Sequence, residues 1–97
     1  MATYIMLINF TQQGIQNVKK SPDRIEKFKK ALNDVGTELK AIYMVMGKYD
    51  FIAVIEAPND EAAARSSLAL GSLGNVHTET LRAFSADDFQ RIVDSLP

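Results

Sequence analysis

The sequence predicts an α+β fold, with a four-stranded antiparallel sheet, two helices on one of its faces and a third helix near the end of the chain. Three observations lead there. Strand-like apolar runs and helical stripes follow one another as β-α-β-β-α-β-α across 97 residues. Only Gly47-Lys48-Tyr49 separates the second strand from the third, too little chain for anything but a hairpin. The first and third strands are apolar at nearly every position, as strands covered on both faces are.

The first strand spans Thr3 to Phe10, rich in β-branched and aromatic residues. Thr11-Gln12-Gln13-Gly14 breaks it, and Ile15 to Lys20 reads as an irregular or single-turn connection. Ser21-Pro22-Asp23 then starts a helix, with serine as cap, proline in the first turn and aspartate against the positive end of the dipole. Ile25, Phe28, Leu32 and Val35 form its apolar stripe, and Gly36 ends it in the left-handed conformation. Glu38 to Met46 is the second strand and Asp50 to Ala57 the third, stopped by Pro58. Asn59 or Asp60 caps a second helix that runs to about Leu73. Its small residues, Ala62, Ala63 and Ala64 among them, suit close packing on a sheet. Asn75 to Phe84 alternates as the fourth strand, with Val76, Thr78, Thr80 and Arg82 opposite His77, Glu79, Leu81 and Ala83. A last helix over about 85–96 opens on the capping-box-like Ser85-Ala86-Asp87-Asp88 and carries Phe89, Ile92, Val93 and Leu96 on one stripe.

Two βαβ halves joined by a hairpin are the ferredoxin-like, split-βαβ arrangement, with strand order 4-1-3-2, here with an extra C-terminal helix and with residues 1–97 as one domain. Right-handed crossovers put both helices of such a unit on one face. The other face should then be polar in a monomer, yet the first three strands are apolar on both sides. A sheet of this size covers roughly 380 Å², near the largest apolar patch of a usual monomer. Covering it is worth roughly 9 kcal/mol per protomer, comparable with an association cost of about 4–15 kcal/mol. The expected partner is therefore a second copy of the chain, as a homodimer or higher oligomer.

Eleven basic and twelve acidic residues leave a net charge of −1, so nucleic acid and membrane surfaces are not expected partners. The basic cluster around Arg24, Lys27, Lys29 and Lys30 reads as a solvated helix face. The absence of cysteine removes disulfides, thiolate metal sites and a cysteine nucleophile. The apolar run Tyr4 to Ile8 is too short for a signal peptide or a membrane span, and a cytoplasmic protein is expected.

Candidate chemistry is sparse. His77, the lone histidine, shares a strand face with Glu79, which suits a base or half a metal site, or simply a solvated pair on an edge strand. Asn9 is a polar residue in an apolar central strand, where its amide must find a partner or line a cavity. Tyr4, Tyr43 and Tyr49 could offer hydroxyls to a ligand or pack at strand ends. Asp50 reads as an Asx-type acceptor for turn amides, or as the rim of a cleft together with Lys48 and Tyr49. No phosphate loop, hydrolase triad, metal site or cofactor motif is present.

The run Met46-Gly47-Lys48-Tyr49-Asp50-Phe51, continuing to Pro58, resembles the signature of the GYD-domain family, named for its Gly-x-Tyr-Asp turn. Tyr4 to Thr11 is similar to that family's first strand, and Asn75 to Phe84 to its last, with a Thr-x-Thr run. The resemblance implies a dimeric α/β barrel, the class that includes small quinone-forming monooxygenases and effector domains of transcription regulators. It implies no reaction, and it marks Gly47, Tyr49 and Asp50 for attention. The favoured reading is a non-catalytic homo-oligomer that binds a small apolar or aromatic molecule between sheet and helices. The alternatives are a cofactor-free monooxygenase or isomerase, drawing its polar groups from Asn9, Tyr43 and His77, and a structural or regulatory subunit.

Overall fold

The computed structural model describes residues 1–97. Its elements are β1 (Ala2–Phe10), α1 (Gln12–Gln16), α2 (Ser21–Asp34), β2 (Glu38–Met44), β3 (Phe51–Ala57), α3 (Asp60–Ser72), β4 (Val76–Ala83) and α4 (Ala86–Asp94), with a 3-10 turn at Val18–Lys20. The strands form one antiparallel sheet in the order β2-β3-β1-β4, which is the expected 4-1-3-2. The core lies on one face only. There Tyr4, Met6 and Ile8 of β1 and Ala53 and Ile55 of β3 meet Leu32 of α2 and Ala62 and Ala63 of α3. No helix is long and apolar enough to cross a membrane.

The helix ends follow the local sequence. Gly36 has φ 74°, and Thr37 N–H reaches the Leu32 carbonyl while Gly36 N–H reaches that of Asn33, the paired bonds of a Schellman cap. Asn59 Oδ1 accepts from Ala62 N–H at 2.9 Å and begins α3. Ser85 and Asp88 exchange both bonds of a capping box at the start of α4.

Three local expectations change. The connection after β1 is helical from Gln12, because Thr11 caps it by accepting from Gly14 N–H at 3.1 Å. Gly14 does not break the chain there; it permits contact, since a Cβ at this position would lie 1.8 Å from the Asn75 carbonyl oxygen. Ser21 does not cap α2. The 3-10 turn runs straight into the helix, Lys20 takes the cap position without a side-chain bond, and the Ser21 hydroxyl is left buried and unpartnered. Strand β2 does not alternate strictly. Leu39 pairs with Ile55 but Ala41 pairs with Val54, so Lys40 is a bulge residue. Leu39 and Ile42 therefore both pack against the core, while Ala41 and Tyr43 share the opposite face.

Candidate functional site

The two faces of the sheet present two different apolar surfaces. The face away from α2 and α3 is an open sheet surface that neither of these helices covers. The register brings Ile5 beside Val54 and Leu81, with Ala41 beside Val54 in turn, so one apolar band runs across all four strands, while Leu7 lies between Ile52 and Glu79. Helix α4 does not cover this band. Phe89 and Leu96 on its stripe remain 63% and 64% exposed, and Phe84 just before it is 56% exposed. The radius of gyration, 14.7 Å, exceeds the about 12.5 Å expected of a compact chain this long.

The other surface is concave. Between α2 and α3, above the sheet, lies a cleft of about 450 Å³. Ile25, Phe28, Ala31 and Val35 form one wall, and Ala69, Leu70 and Leu73 the other. Ile8, Phe10, Ile42, Phe51 and Val76 make the floor, where Phe10 and Phe51 meet edge to face with centroids 5.4 Å apart. The cleft exists because α3 offers Ser66 and Ala69 where larger residues would close the gap. No His, Asp, Glu or Tyr lines it.

None of the five sequence candidates lines the cleft. Asn9 and His77 are paired neighbours at one end of the open face, Asn9 half-buried and His77 exposed. Tyr43, 63% exposed, lies on the same face at the far edge, beside Ile52. Glu79 accepts a 3.3 Å hydrogen bond from the Tyr49 hydroxyl. No set of three or more ligating side chains is assembled anywhere.

The Gly47–Asp50 turn is a clamp. Gly47 has φ 125°, open to glycine alone without strain, and Val45 N–H closes the turn on the Asp50 carbonyl at 2.9 Å. Asp50 does not accept from turn amides as expected. Its Oδ2 accepts from Phe10 N–H at 2.8 Å, and its own N–H donates to the Ile8 carbonyl at 2.9 Å. With Tyr49 tied to Glu79, the turn fastens the hairpin to the end of β1 and to the middle of β4.

Tyr4, at the core, donates to Asp60 Oδ1 at 2.5 Å. That bond, then burial and the nearby Asp60 charge, raise the phenol's pKa above its ordinary value, with Arg82 opposing. The sequence reading missed that Arg24 and Lys27 border a cleft, and Arg65 across from them drew no notice at all. The signal for them was the pairing of a bulky stripe on α2 with a small-residue stripe on α3.

Fold and site define a class: a ferredoxin-like α+β unit with a C-terminal helix and an apolar cleft between its two crossover helices. The chain belongs to the GYD-domain family, whose model matches residues 4–93. It is 39% identical over 89 residues to the glutamine synthetase and cystathionine beta-lyase binding protein of Thermus thermophilus, covering 91% of this chain and 94% of that one. Among solved structures it is similar to TTHA0845, also from Thermus thermophilus, with TM-score 0.55 and 25% identity over 89% of this chain and 96% of the other. It also shares the fold of FFRP-DM1, with TM-score 0.61 and 22% identity over 87% and 100% of the two chains.

Proposed function

We propose that this chain is a non-catalytic, homodimeric binding domain that holds a small apolar molecule between α2 and α3. The cleft carries this reading. Its volume of about 450 Å³ falls within the roughly 300–1,000 Å³ of ligand sites. The absence of His, Asp, Glu and Tyr from its lining leaves little for general acid–base work, which favours binding over the monooxygenase or isomerase alternative. The open face supports the dimer. Its apolar band and the uncovered stripe of α4 both gain from a second copy, with α4 reaching over the partner sheet. In that arrangement Asn9, Tyr43 and His77 belong to the contact between copies.

The test is a titration of the isotope-labelled protein with 1-octanol, followed by amide shifts. Changes concentrated at Phe28, Phe51 and Ala69 are expected. Changes confined to the open face, or none at millimolar alcohol, would overturn the reading.

A second reading is favoured by the relative that is named as binding two enzymes. On that reading the chain is a regulatory subunit docking on a larger protein. Co-elution with purified glutamine synthetase or cystathionine beta-lyase in size-exclusion chromatography supports it, and separate elution of all components refutes it.

A further inference from the structure

We propose that the cleft selects a small apolar acid, a monocarboxylate whose hydrocarbon body lies between the helices and whose carboxylate meets a cationic mouth. This rests on the reading of the cleft as a ligand site. Every charged residue that lines the cleft is basic: Arg24 and Lys27 from α2, and Arg65 from α3. The chain as a whole carries one more acidic than basic residue, so this bias is local. The three lie at the solvent side of the apolar walls, Arg24 half-buried and the other two exposed.

Their charges are barely compensated within the chain. Arg65 has one acidic neighbour, Glu61, at 3.8 Å with both side chains largely exposed, a contact of little strength. Arg24 makes a single long bond of 3.4 Å to the Asn17 carbonyl, and Lys27 makes no ion pair. A second observation points the same way. Ser21 lines this cleft and its hydroxyl is buried without a hydrogen-bond partner, so a turn about its Cα–Cβ bond toward the cleft would give an oxygen bound there a donor. Arg24 and Arg65 each bring to the lining a guanidinium fork of the kind that recognises a planar carboxylate. No glycine lines the mouth, so the backbone nest that phosphates favour is missing.

Octanoate and 1-octanol, which share nearly the same body and differ in charge, separate the two levels of the reading. At an ionic strength of about 20 mM, octanoate should bind at least about tenfold more tightly than octanol, and the preference should shrink at about 0.5 M salt. In an R24Q/R65Q variant the preference should fall to within about twofold while octanol affinity holds, which also reports an intact cleft. Equal affinity of wild type for acid and alcohol, or a preference indifferent to salt, overturns the charge inference and leaves the cleft reading standing. A preference retained by the variant overturns the assignment to these arginines. Binding of neither probe overturns both levels.

Discussion

Replacing Asp50 by alanine separates a structural role for the signature turn from a role in ligand binding. The carboxylate accepts one hydrogen bond, from Phe10 N–H at 2.8 Å in a partly buried setting. Alanine removes this acceptor and strands the amide, while the bonds through the Asp50 backbone to Ile8 and Val45 persist. A hydrogen bond to a charged group contributes about 1.5–3 kcal/mol, so D50A should lose about 2 kcal/mol. For a chain near this length that is a fall in Tm of about 8–16 °C. D50N keeps an acceptor oxygen but not its charge and should lose about half as much. Urea unfolding at fixed protein concentration measures both, because the proposed association would make the midpoint depend on concentration. Octanol affinity for the folded variants should match wild type, since Asp50 does not line the cleft. A variant as stable as wild type but unable to bind the probe would refute the clamp and restore Asp50 as a ligand residue.

Gly14→Ala and Gly71→Ala should move stability in opposite directions although both sites are helical. A Cβ at Gly14 collides with the Asn75 backbone, and overpacking with loss of the Thr11 bonds should cost about 3 kcal/mol by urea unfolding. A Cβ at Gly71 meets nothing within 4 Å and should stabilise by about 0.5 kcal/mol; two changes of the same sign would contradict the packing assignment. Because Tyr4 has a raised pKa in the folded state, its contribution is complete below the unfolded value of about 10 and fades as pH rises through the folded value. The wild-type urea midpoint should therefore drop more between about pH 9 and 11 than that of Tyr4→Phe, and equal drops would exclude Tyr4 as the cause. Leu7→Lys places a cation opposite Glu79 on the open face, which suits a monomer but not an apolar contact. Light scattering at micromolar concentration should report a dimer for wild type and a monomer for the variant; a monomeric wild type removes the dimer altogether.

Most of the fold was legible because its signals are local. The stripe Ile25, Phe28, Leu32, Val35, the cap at Gly36 and the short hairpin each act within a few residues, and together they leave one topology. What the sequence concealed depends on distant neighbours. Gly14 reads as a breaker until Asn75, 61 positions away in the chain, is seen against it. The bulge at Lys40 leaves no mark in composition, yet it moves Leu39 to the side opposite Ala41 and Tyr43. Asp50 invites a turn assignment because its partner Phe10 is 40 residues distant. The cleft was hidden for the same reason. Lys27, Lys29 and Lys30 are exposed as a solvated face should be, and only the fold shows that Arg24 and Lys27 also border a cleft shared with Arg65 of another helix.

The two apolar surfaces call for different occupants because they differ in curvature. A small ligand gains most where protein encloses it, and ligand sites bury roughly 70–90% of a drug-sized molecule. The open band of Ile5, Leu7, Ile52, Val54 and Leu81 has no wall beside it and can offer such a molecule one side only. Another sheet can cover the same band in full, gaining roughly 25 cal/mol for each Å² removed from water. The cleft reverses these terms. Its opening between two helices leaves no room for a sheet, whereas its walls and floor surround a small molecule on three sides. The signature turn fits this division of labour. By tying the hairpin to the end of β1 and to the middle of β4, Asp50 and Tyr49 brace the open face proposed to pair and the Phe10–Phe51 contact in the floor of the cleft behind it. A residue pattern that marks the family can thus sit outside both surfaces and still be required by each.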